Sequence, residues 1–345
     1  MELSERKKSI LSAIVKLYIN SGEPIGSKML CEILENAPSS ATLRNEMNAL
    51  CDLGLLSQPH TSAGRIPTED GYRLYINALM EKSELSDELK QRLNESISFS
   101  DCDPEKLPER AAAALSEITG LPTFSMKISD SGVTLKRIEL LPMGNHSAML
   151  IVITSDGRSR SRLCHIPTLL TATLISEFEK LIAKQVLSRD LETLTRATMQ
   201  SITVQSGLNI LNLMPLITAL FQMVEDIKNS GFTMTGASNL FTMGLDKASA
   251  DRISTLLEKH DTLMKLIAEN DKPISIVFGS DTEYTALKPS CIILARYGVR
   301  DRDIGCIGVI GPTRISYEKI LPSIEYTVAR LNEFLSNTLN DMEEA

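Results

Sequence analysis

Three apolar patterns of helical period lie between residues 4 and 53 of the chain. The first begins after Ser4, a good helix N-cap, and ends at Gly22, which is typical of a helix C-terminus. The second begins at Ser27, and the third begins after Ser39 and Ser40. Their apolar positions recur every three or four residues: Ile10, Leu11, Ile14, Val15, Leu17 and Tyr18, then Leu30, Ile33 and Leu34. The short polar turn between the second and third patterns predicts a helix-turn-helix.

The third helix has one apolar face and one small polar face. At about 100° per residue, its apolar side is formed by Leu43, Met47 and Leu50. On the other side lie Ala41, Thr42, Asn45 and Asn48, with Arg44 on a flank. Threonine, asparagine and arginine can pair with base edges, and a small alanine lets a helix approach the major groove. A solvated helix face has the same composition, so this pattern alone leaves both interpretations open.

A hairpin pattern follows directly behind the third helix. Residues 53–58 are predicted as a strand, residues 65–67 as its short return, and the polar segment 59–64 as the turn. Four of its side chains can donate hydrogen bonds to phosphate oxygens: His60, Thr61, Ser62 and Arg65. Hydroxyl-rich turns are common, but the position behind a helix-turn-helix predicts the wing of a winged helix. Thr68 is predicted to cap a further helix to about Met80.

Five strand-like segments lie in two groups on either side of a long insertion, at residues 123–128, 135–141, 274–278, 291–296 and 304–310. An alanine-rich helix over about 105–119 precedes them, and a helix over about 317–340 follows them. Together these elements predict a five-stranded α/β sandwich that is interrupted in sequence.

The interruption, residues 145–268, has enough elements for a domain of its own. We predict a hairpin of strands 148–154 and 160–166, helices to about residue 229, a short strand at 231–235 and a helix at 250–268. The helix at 208–229 is apolar on more than one face. Such a helix is either deeply buried or part of a dimer interface, and the pattern leaves both open.

Composition places the chain among ordinary globular proteins. Its 345 residues are 43% hydrophobic and 23% charged, which excludes collagen-like and wholly disordered chains. At about 150 residues per domain, the length predicts two or three domains. A net charge of −8 argues against a protein that coats nucleic acid indiscriminately. Residues 1–80 carry eight basic against nine acidic side chains, so this part can still face DNA.

No apolar run approaches the roughly 20 residues of a membrane span, and the N-terminus lacks the apolar core of a signal peptide. We therefore expect a cytoplasmic protein without membrane contact.

Six cysteines occur without a Cys-x-x-Cys pair, which predicts reduced thiols that mostly fill the core: Cys31, Cys51, Cys102, Cys164, Cys291 and Cys306.

The sequence offers little catalytic chemistry. Glycines recur every three residues at Gly305, Gly308 and Gly311, but the context favours an apolar strand ending at Pro312 over a phosphate loop. The four histidines are far apart, and no acidic pair or His-Glu-x-x-His motif stands out. We therefore expect neither a cofactor nor a metal ion, and we do not expect an enzyme.

Several segments resemble one bacterial family. They are residues 22–27 (GEPIGS), 40–47 (SATLRNEM), 53–68 (LGLLSQPHTSAGRIPT) and 71–73 (GYR). Downstream, residues 236–241 (GASNLF), 307–314 (IGVIGPTR), Tyr317 and 324–327 (IEYT) continue the likeness. These segments are similar to those of HrcA, the heat-inducible transcription repressor family. Because they are spread along the sequence, the resemblance spans nearly the whole chain.

The resemblance implies a homodimer that binds double-stranded DNA at CIRCE, an inverted repeat upstream of chaperone operons of the grpE-dnaK-dnaJ and groELS type, and prevents their heat-shock induction. It also implies dependence on the chaperonin GroEL. The implied fold is an α+β multidomain chain: a winged helix-turn-helix at 1–80, a linker and helix at 81–103, and a GAF-like α/β sandwich at 104–144 and 269–345. An inserted α+β dimerisation domain occupies 145–268.

We expect base contacts from Ser40, Thr42, Arg44, Asn45 and Asn48, and phosphate contacts from Ser39, His60, Thr61, Ser62 and Arg65. Dimer symmetry would match the two winged helices to an inverted repeat. Two alternatives remain open. One is a regulator of the same DNA-binding class whose GAF-like domain senses a small molecule, and the other is a chaperonin-interacting adaptor without DNA activity.

Overall fold

The structure of the protein is a computed structural model. It describes residues 3–34, 37–60, 64–81, 83–97, 106–128, 132–195, 197–198, 200, 202, 210–229, 231–241, 247–257, 260–288, 290–299 and 302–344. The cysteine at position 102 lies outside the described residues. The other five are free thiols, of which three are buried and two half-buried: Cys164, Cys291 and Cys306, then Cys31 and Cys51.

The N-terminal part of the chain folds into the predicted winged helix. Ser4 caps the first helix by accepting from the Lys7 backbone, and Gly22 ends it in the left-handed conformation at φ 71°. Ser39 and Thr68 cap later helices in the same way. The elements are α1 (Glu5–Ser21), α2 (Ser27–Ile33), α3 (Ser40–Asp52) and α4 (Glu69–Leu74), which continues into a π-helical turn (Tyr75–Leu79).

The predicted wing is a short antiparallel hairpin of β1 (Leu56–Ser57) and β2 (Ile66–Pro67). Just before β2, Arg65 exchanges two backbone hydrogen bonds of 2.9 Å with Ile25, which lies in the turn between α1 and α2. A Cβ atom at position 64 would overlap the Ile25 backbone, so the close approach requires the glycine that is present, Gly64. The base of the wing is therefore held against the helix-turn-helix.

A five-stranded antiparallel sheet forms the centre of the C-terminal part. Its strands are β3 (Thr123–Lys127), β7 (Phe232–Thr235), β8 (Ile274–Phe278), β9 (Ser290–Val299) and β10 (Arg302–Pro312). Their order across the sheet is β7-β3-β10-β9-β8. The strand count matches the prediction, but one member differs.

The predicted strand at 135–141 does not belong to this sheet, so that expectation was wrong. It forms β4 (Leu135–Gly144), which pairs with β5 (Ser147–Thr154), and β5 pairs in turn with β6 (Ser159–His165). Its expected place is taken by β7, which pairs with β3. The β5–β6 hairpin itself was predicted correctly.

The three-stranded sheet packs against two helices, α7 (Ala172–Gln185) and α8 (Ile210–Asn229). The inner face of β5 alternates cleanly, with Ala148, Leu150 and Val152 fully buried. Most apolar side chains of α8 are buried within the single chain: Leu213, Leu216, Ile217, Ala219, Leu220, Phe221, Met223, Val224 and Ile227. This helix is therefore a core helix, and its excess of apolar residues does not by itself require a dimer.

The two faces of the five-stranded sheet are covered by different helices. One face packs with α6 (Leu107–Thr119) and α11 (Tyr317–Glu344), and the same core continues into the winged helix and α5 (Asp87–Ser96). The other face packs with α9 (Lys247–Leu257) and α10 (His260–Ala268), where the sequence suggested one helix inside the insertion. The proposed domain limits at 144 and 269 remain predictions.

The regularly spaced glycines lie on β10, where they make room for aromatic rings. Gly308 is paired with Phe124 of β3, and a Cβ atom at that position would overlap the Phe124 ring. Gly305 is paired with Tyr297 of β9 in the same way. Glycine is needed here for close packing across the strands.

Candidate nucleic-acid interface

Helix α3 presents its polar face outward, as the sequence predicts. Leu43, Met47 and Leu50 are buried against α1 and the rest of the winged helix. Arg44, Asn45 and Asn48 are exposed on the opposite side, and Ala41 is exposed among them. Neither Arg44 nor Asn45 has a hydrogen bond or ion pair with another described residue. Their polar groups are available to a ligand that approaches this face.

The polar side chains at the start of α3 form hydrogen bonds within the winged helix. Ser39 accepts from the Thr42 backbone at 3.2 Å, and its hydroxyl lies 2.9 Å from the Thr42 hydroxyl. The Ser40 hydroxyl lies 2.8 Å from that of Ser27, which joins α3 to the start of α2. These three predicted contact residues therefore also build the helix-turn-helix, and their DNA contacts remain predictions.

Glu46 joins α3 to α1 through its carboxylate. Its carboxylate binds the Arg6 guanidinium at 2.7 Å and lies 3.9 Å from the Lys7 ammonium, both on α1. The Glu46 side chain is 13% exposed. Because this carboxylate is neutralised by α1, it adds little repulsion toward a polyanion near α3.

The wing brings one predicted phosphate ligand directly onto α3. The Arg65 guanidinium Nη2 donates to Asn48 Oδ1 at 2.6 Å, and Arg65 is half-buried. His60 is exposed in the turn. Thr61 and Ser62, also predicted on phosphate, lie outside the described residues. The Arg65 to Asn48 contact was missed in the sequence, because polar spacing does not show which side chains meet between a helix and a hairpin.

A second group of residues joins the winged helix to the C-terminal part. The Arg73 guanidinium binds Asp281 and lies 4.7 Å from the centre of the Phe278 ring. The Tyr72 ring packs 5.8 Å from Tyr317 and 6.5 Å from Phe278. The hydrogen bond to Asp281 is the main cause that raises the pKa of Arg73 above its ordinary value. The sequence marked 71–73 as a motif without revealing this role.

Glu318 is the other link between these parts. It accepts from the Tyr75 hydroxyl at 2.6 Å and lies 3.0 Å from the Lys16 ammonium. Burial and the hydrogen bond to Glu318 raise the pKa of Tyr75. The C-terminal part therefore contacts both α1 and the π-helical turn that follows α4.

None of the described helices has the length and apolarity that crossing a membrane requires. No group of three or more histidine, cysteine or carboxylate side chains within the described ranges is arranged to hold a metal ion.

Two family models match separate parts of the chain. Residues 2–80 match a family model described as "Winged helix-turn-helix transcription repressor, HrcA DNA-binding", and residues 105–321 match one described as "HrcA protein C terminal domain". The two models together cover most of the sequence.

Full-length relatives show the same similarity. The chain is 34% identical over 344 residues to the heat-inducible transcription repressor HrcA of Clostridioides difficile, covering 96% of this chain and 99% of that protein. It is 30% identical over 349 residues to the protein of that name from Ruminiclostridium cellulolyticum, covering 99% and 100%. A crystal structure of a hypothetical protein, 23% identical, superposes with a TM-score of 0.72 over 98% of this chain and all of that chain, which supports the fold.

Proposed function

This chain belongs to the HrcA family of heat-inducible transcription repressors, and from that membership we propose that it represses chaperone operons by binding the CIRCE inverted repeat as a homodimer. The observation that carries the proposal is the exposed polar face of α3, with Arg44, Asn45 and Asn48 outward and the wing beside them. A helix of this composition fits the major groove, where such side chains pair with base edges.

The proposed contacts divide into two kinds. Arg44, Asn45 and Asn48 meet base edges, with Ser40 and Thr42 at the end of α3 that enters the groove first. The N-terminus of α3, capped by Ser39, and the exposed His60 approach phosphates. Phosphate contacts fix the position of the protein, and base contacts give it sequence preference.

We place the dimer contact on the outer face of the three-stranded sheet. Leu141, Met149 and Leu163 are cross-strand neighbours on β4, β5 and β6, so their side chains share one face. Leu141 is 45% and Leu163 is 61% exposed, as is the nearby Met143 at 61%. Contiguous exposed apolar residues of this kind mark interaction surfaces, and a two-fold axis through them would present two winged helices to an inverted repeat.

Hydroxyl-radical footprinting on a CIRCE duplex tests this function. Two chains per duplex should protect two patches on one side of the DNA, about one helical turn or a multiple of it apart. Leu163→Glu should shift the protein to monomer in sedimentation and weaken CIRCE binding, whereas exposed Leu169→Glu should do neither. A dimer unaffected by Leu163→Glu would contradict the proposed contact, and the absence of any footprint would contradict the proposed function.

Heat control, in this proposal, depends on GroEL. Warming exposes apolar surface in a marginally stable C-terminal part, and unfolded proteins then compete for the chaperonin that returns the repressor to its active form. Adding GroEL and ATP to heat-inactivated protein should restore the footprint. A repressor that recovers equally well without chaperonin would contradict this part of the proposal.

A further inference from the structure

The contact between Arg65 and Asn48 joins the wing to the exposed face of α3. Arg65 Nη2 lies 2.6 Å from Asn48 Oδ1, and Arg65 Nη1 donates to its neighbour Gly64 O at 3.4 Å. Asn48 is exposed on the face that we assign to DNA. A side chain from the wing therefore reaches an amide that is placed to meet a base.

The backbone of Arg65 is fixed from the other side. Its N–H and C=O both bond to Ile25 at 2.9 Å, and Gly64 packs against the same residue. Because three contacts hold the chain at this point, the guanidinium reaches α3 from a defined direction. Removing the Arg65 side chain leaves both backbone hydrogen bonds in place.

The chemistry of the two groups fixes how the Asn48 amide is turned. A guanidinium has donors and no acceptor, so the atom that faces it is the amide oxygen. The amide nitrogen, with its two hydrogens, then points away from Arg65, and no hydrogen bond joins it to another described residue. An asparagine that reads adenine uses its oxygen and nitrogen together, accepting from N6 and donating to N7.

We propose that Arg65 is a positioning residue that turns Asn48 so that its amide nitrogen donates to a base edge whose polar major-groove atoms are all acceptors, either guanine N7 or O6 or thymine O4. The inference rests on the proposed function, in which α3 lies in the major groove. It reassigns Arg65 from a simple phosphate contact to a determinant of base preference, and it makes Asn48 a donor instead of a bidentate reader of adenine.

The test begins with the operator that the wild-type protein selects from a pool of randomised duplexes. Relative affinities are then measured for every symmetric single-base-pair replacement in that operator. Arg65→Ala and Asn48→Ala should each reduce discrimination at the same one position per half-site by roughly fivefold to tenfold, the lower part of the range for a base contact. The double variant should match Asn48→Ala, because the two residues act as one unit.

Asn48→Asp provides the sharper variant. The carboxylate keeps an acceptor for Arg65 but removes the donor, so preference at that position should move toward cytosine or adenine, whose exocyclic amines donate in the major groove. Affinity ratios between duplexes do not depend on the fraction of protein that is folded. His60→Ala is the control, since loss of a wing phosphate contact should weaken all duplexes equally.

The outcomes separate this inference from the proposed function. Arg65 is a phosphate contact, and the inference is wrong, if Arg65→Ala shows three effects together. It would weaken binding to every duplex by the same factor, and its loss of binding free energy would add fully to that of Asn48→Ala. It would also reduce the steepness of log K against log salt concentration by about 0.9. Uniform weakening by Asn48→Asp would also overturn the inference. A wild-type protein that selects no sequence at all would overturn the DNA-reading function itself.

Discussion

The Tyr75 hydroxyl donates to Oε1 of Glu318 across 2.6 Å, and this hydrogen bond joins the end of the winged helix to the first turn of α11. Lys16 of α1 reaches the same carboxylate at 3.0 Å. Two elements of the winged helix thus meet on one side chain of the C-terminal part.

Stability at acid pH should report on this link. Partial burial acts to raise the pKa of Glu318, but the Tyr75 hydrogen bond and the charge of Lys16 outweigh it, so the pKa lies below its ordinary value. A group of this kind stabilises the fold above its ordinary pKa, and the contribution is lost as the pH falls through the lowered one.

Glu318→Gln should therefore cost about 1 kcal/mol at neutral pH, a modest amount because the side chain is 39% exposed. Its urea midpoint should approach that of wild type from about pH 5 downward. Glu5→Gln is the control, since Glu5 is 90% exposed in its pair with Lys8. A constant difference between Glu318→Gln and wild type at all pH values would contradict this account.

Asp156 forms two ion pairs, one within its own hairpin and one that joins the two sheets. Asp156, in the β5–β6 turn, binds Arg158 at 2.9 Å and Lys127 of β3 at 3.4 Å. Arg158 is 6% exposed and also donates to the Ile227 carbonyl of α8 at 2.9 Å. Burial acts to raise the pKa of Asp156, but the charges of Arg158 and Lys127 and two hydrogen bonds lower it overall.

Asp156→Asn should lower the free energy of unfolding by about 2 to 4 kcal/mol, because it removes a carboxylate charge that the buried Arg158 guanidinium and the Lys127 ammonium both bind. Asp226→Asn is the matched control. Asp226 is 55% exposed in its pair with Arg162, so the loss there should stay below about 1 kcal/mol. Urea denaturation measures the free energy of unfolding of both variants. Equal losses in the two variants would show that the ion pairs of Asp156 stabilise the protein no more than an exposed pair does.

The glycine on β10 gives a packing test. Gly308→Ala should destabilise the protein by about 1 to 3 kcal/mol, since the added methyl overlaps the Phe124 ring. Gly144→Ala should be nearly silent, because nothing lies within 4 Å of its Cβ position. Combining Gly308→Ala with Phe124→Leu should cost less than the sum of the two changes in thermal unfolding. Strict additivity would mean that the two residues do not compete for the same space.

The sequence predicts those features that depend on neighbouring residues. Ser4, Ser39 and Thr68 cap their helices as expected, because a cap requires only the next three residues. The outward face of α3 follows from its period. The wing hairpin was also predicted, since its strands and turn are contiguous.

Pairing between segments that are distant in the chain could not be predicted from the sequence. Strands β4 and β7 both show strand patterns, but a pattern does not reveal a partner, and their sheets were exchanged in the prediction. The helix expected at 250–268 is divided into α9 and α10, which pack on the five-stranded sheet. For the same reason the contacts of Arg65 with Asn48 and of Tyr75 with Glu318 became visible only in the structure.

Fluorescence anisotropy with labelled CIRCE and scrambled duplexes tests most directly whether the exposed face of α3 recognises an inverted repeat. Arg44→Ala and Asn45→Ala should each lose about 1 to 3 kcal/mol of CIRCE binding and relax sequence preference. Asn20→Ala, an exposed asparagine on α1, should bind as wild type does. If both α3 variants bind CIRCE with wild-type affinity and preference, the assignment of α3 as the reading helix is wrong.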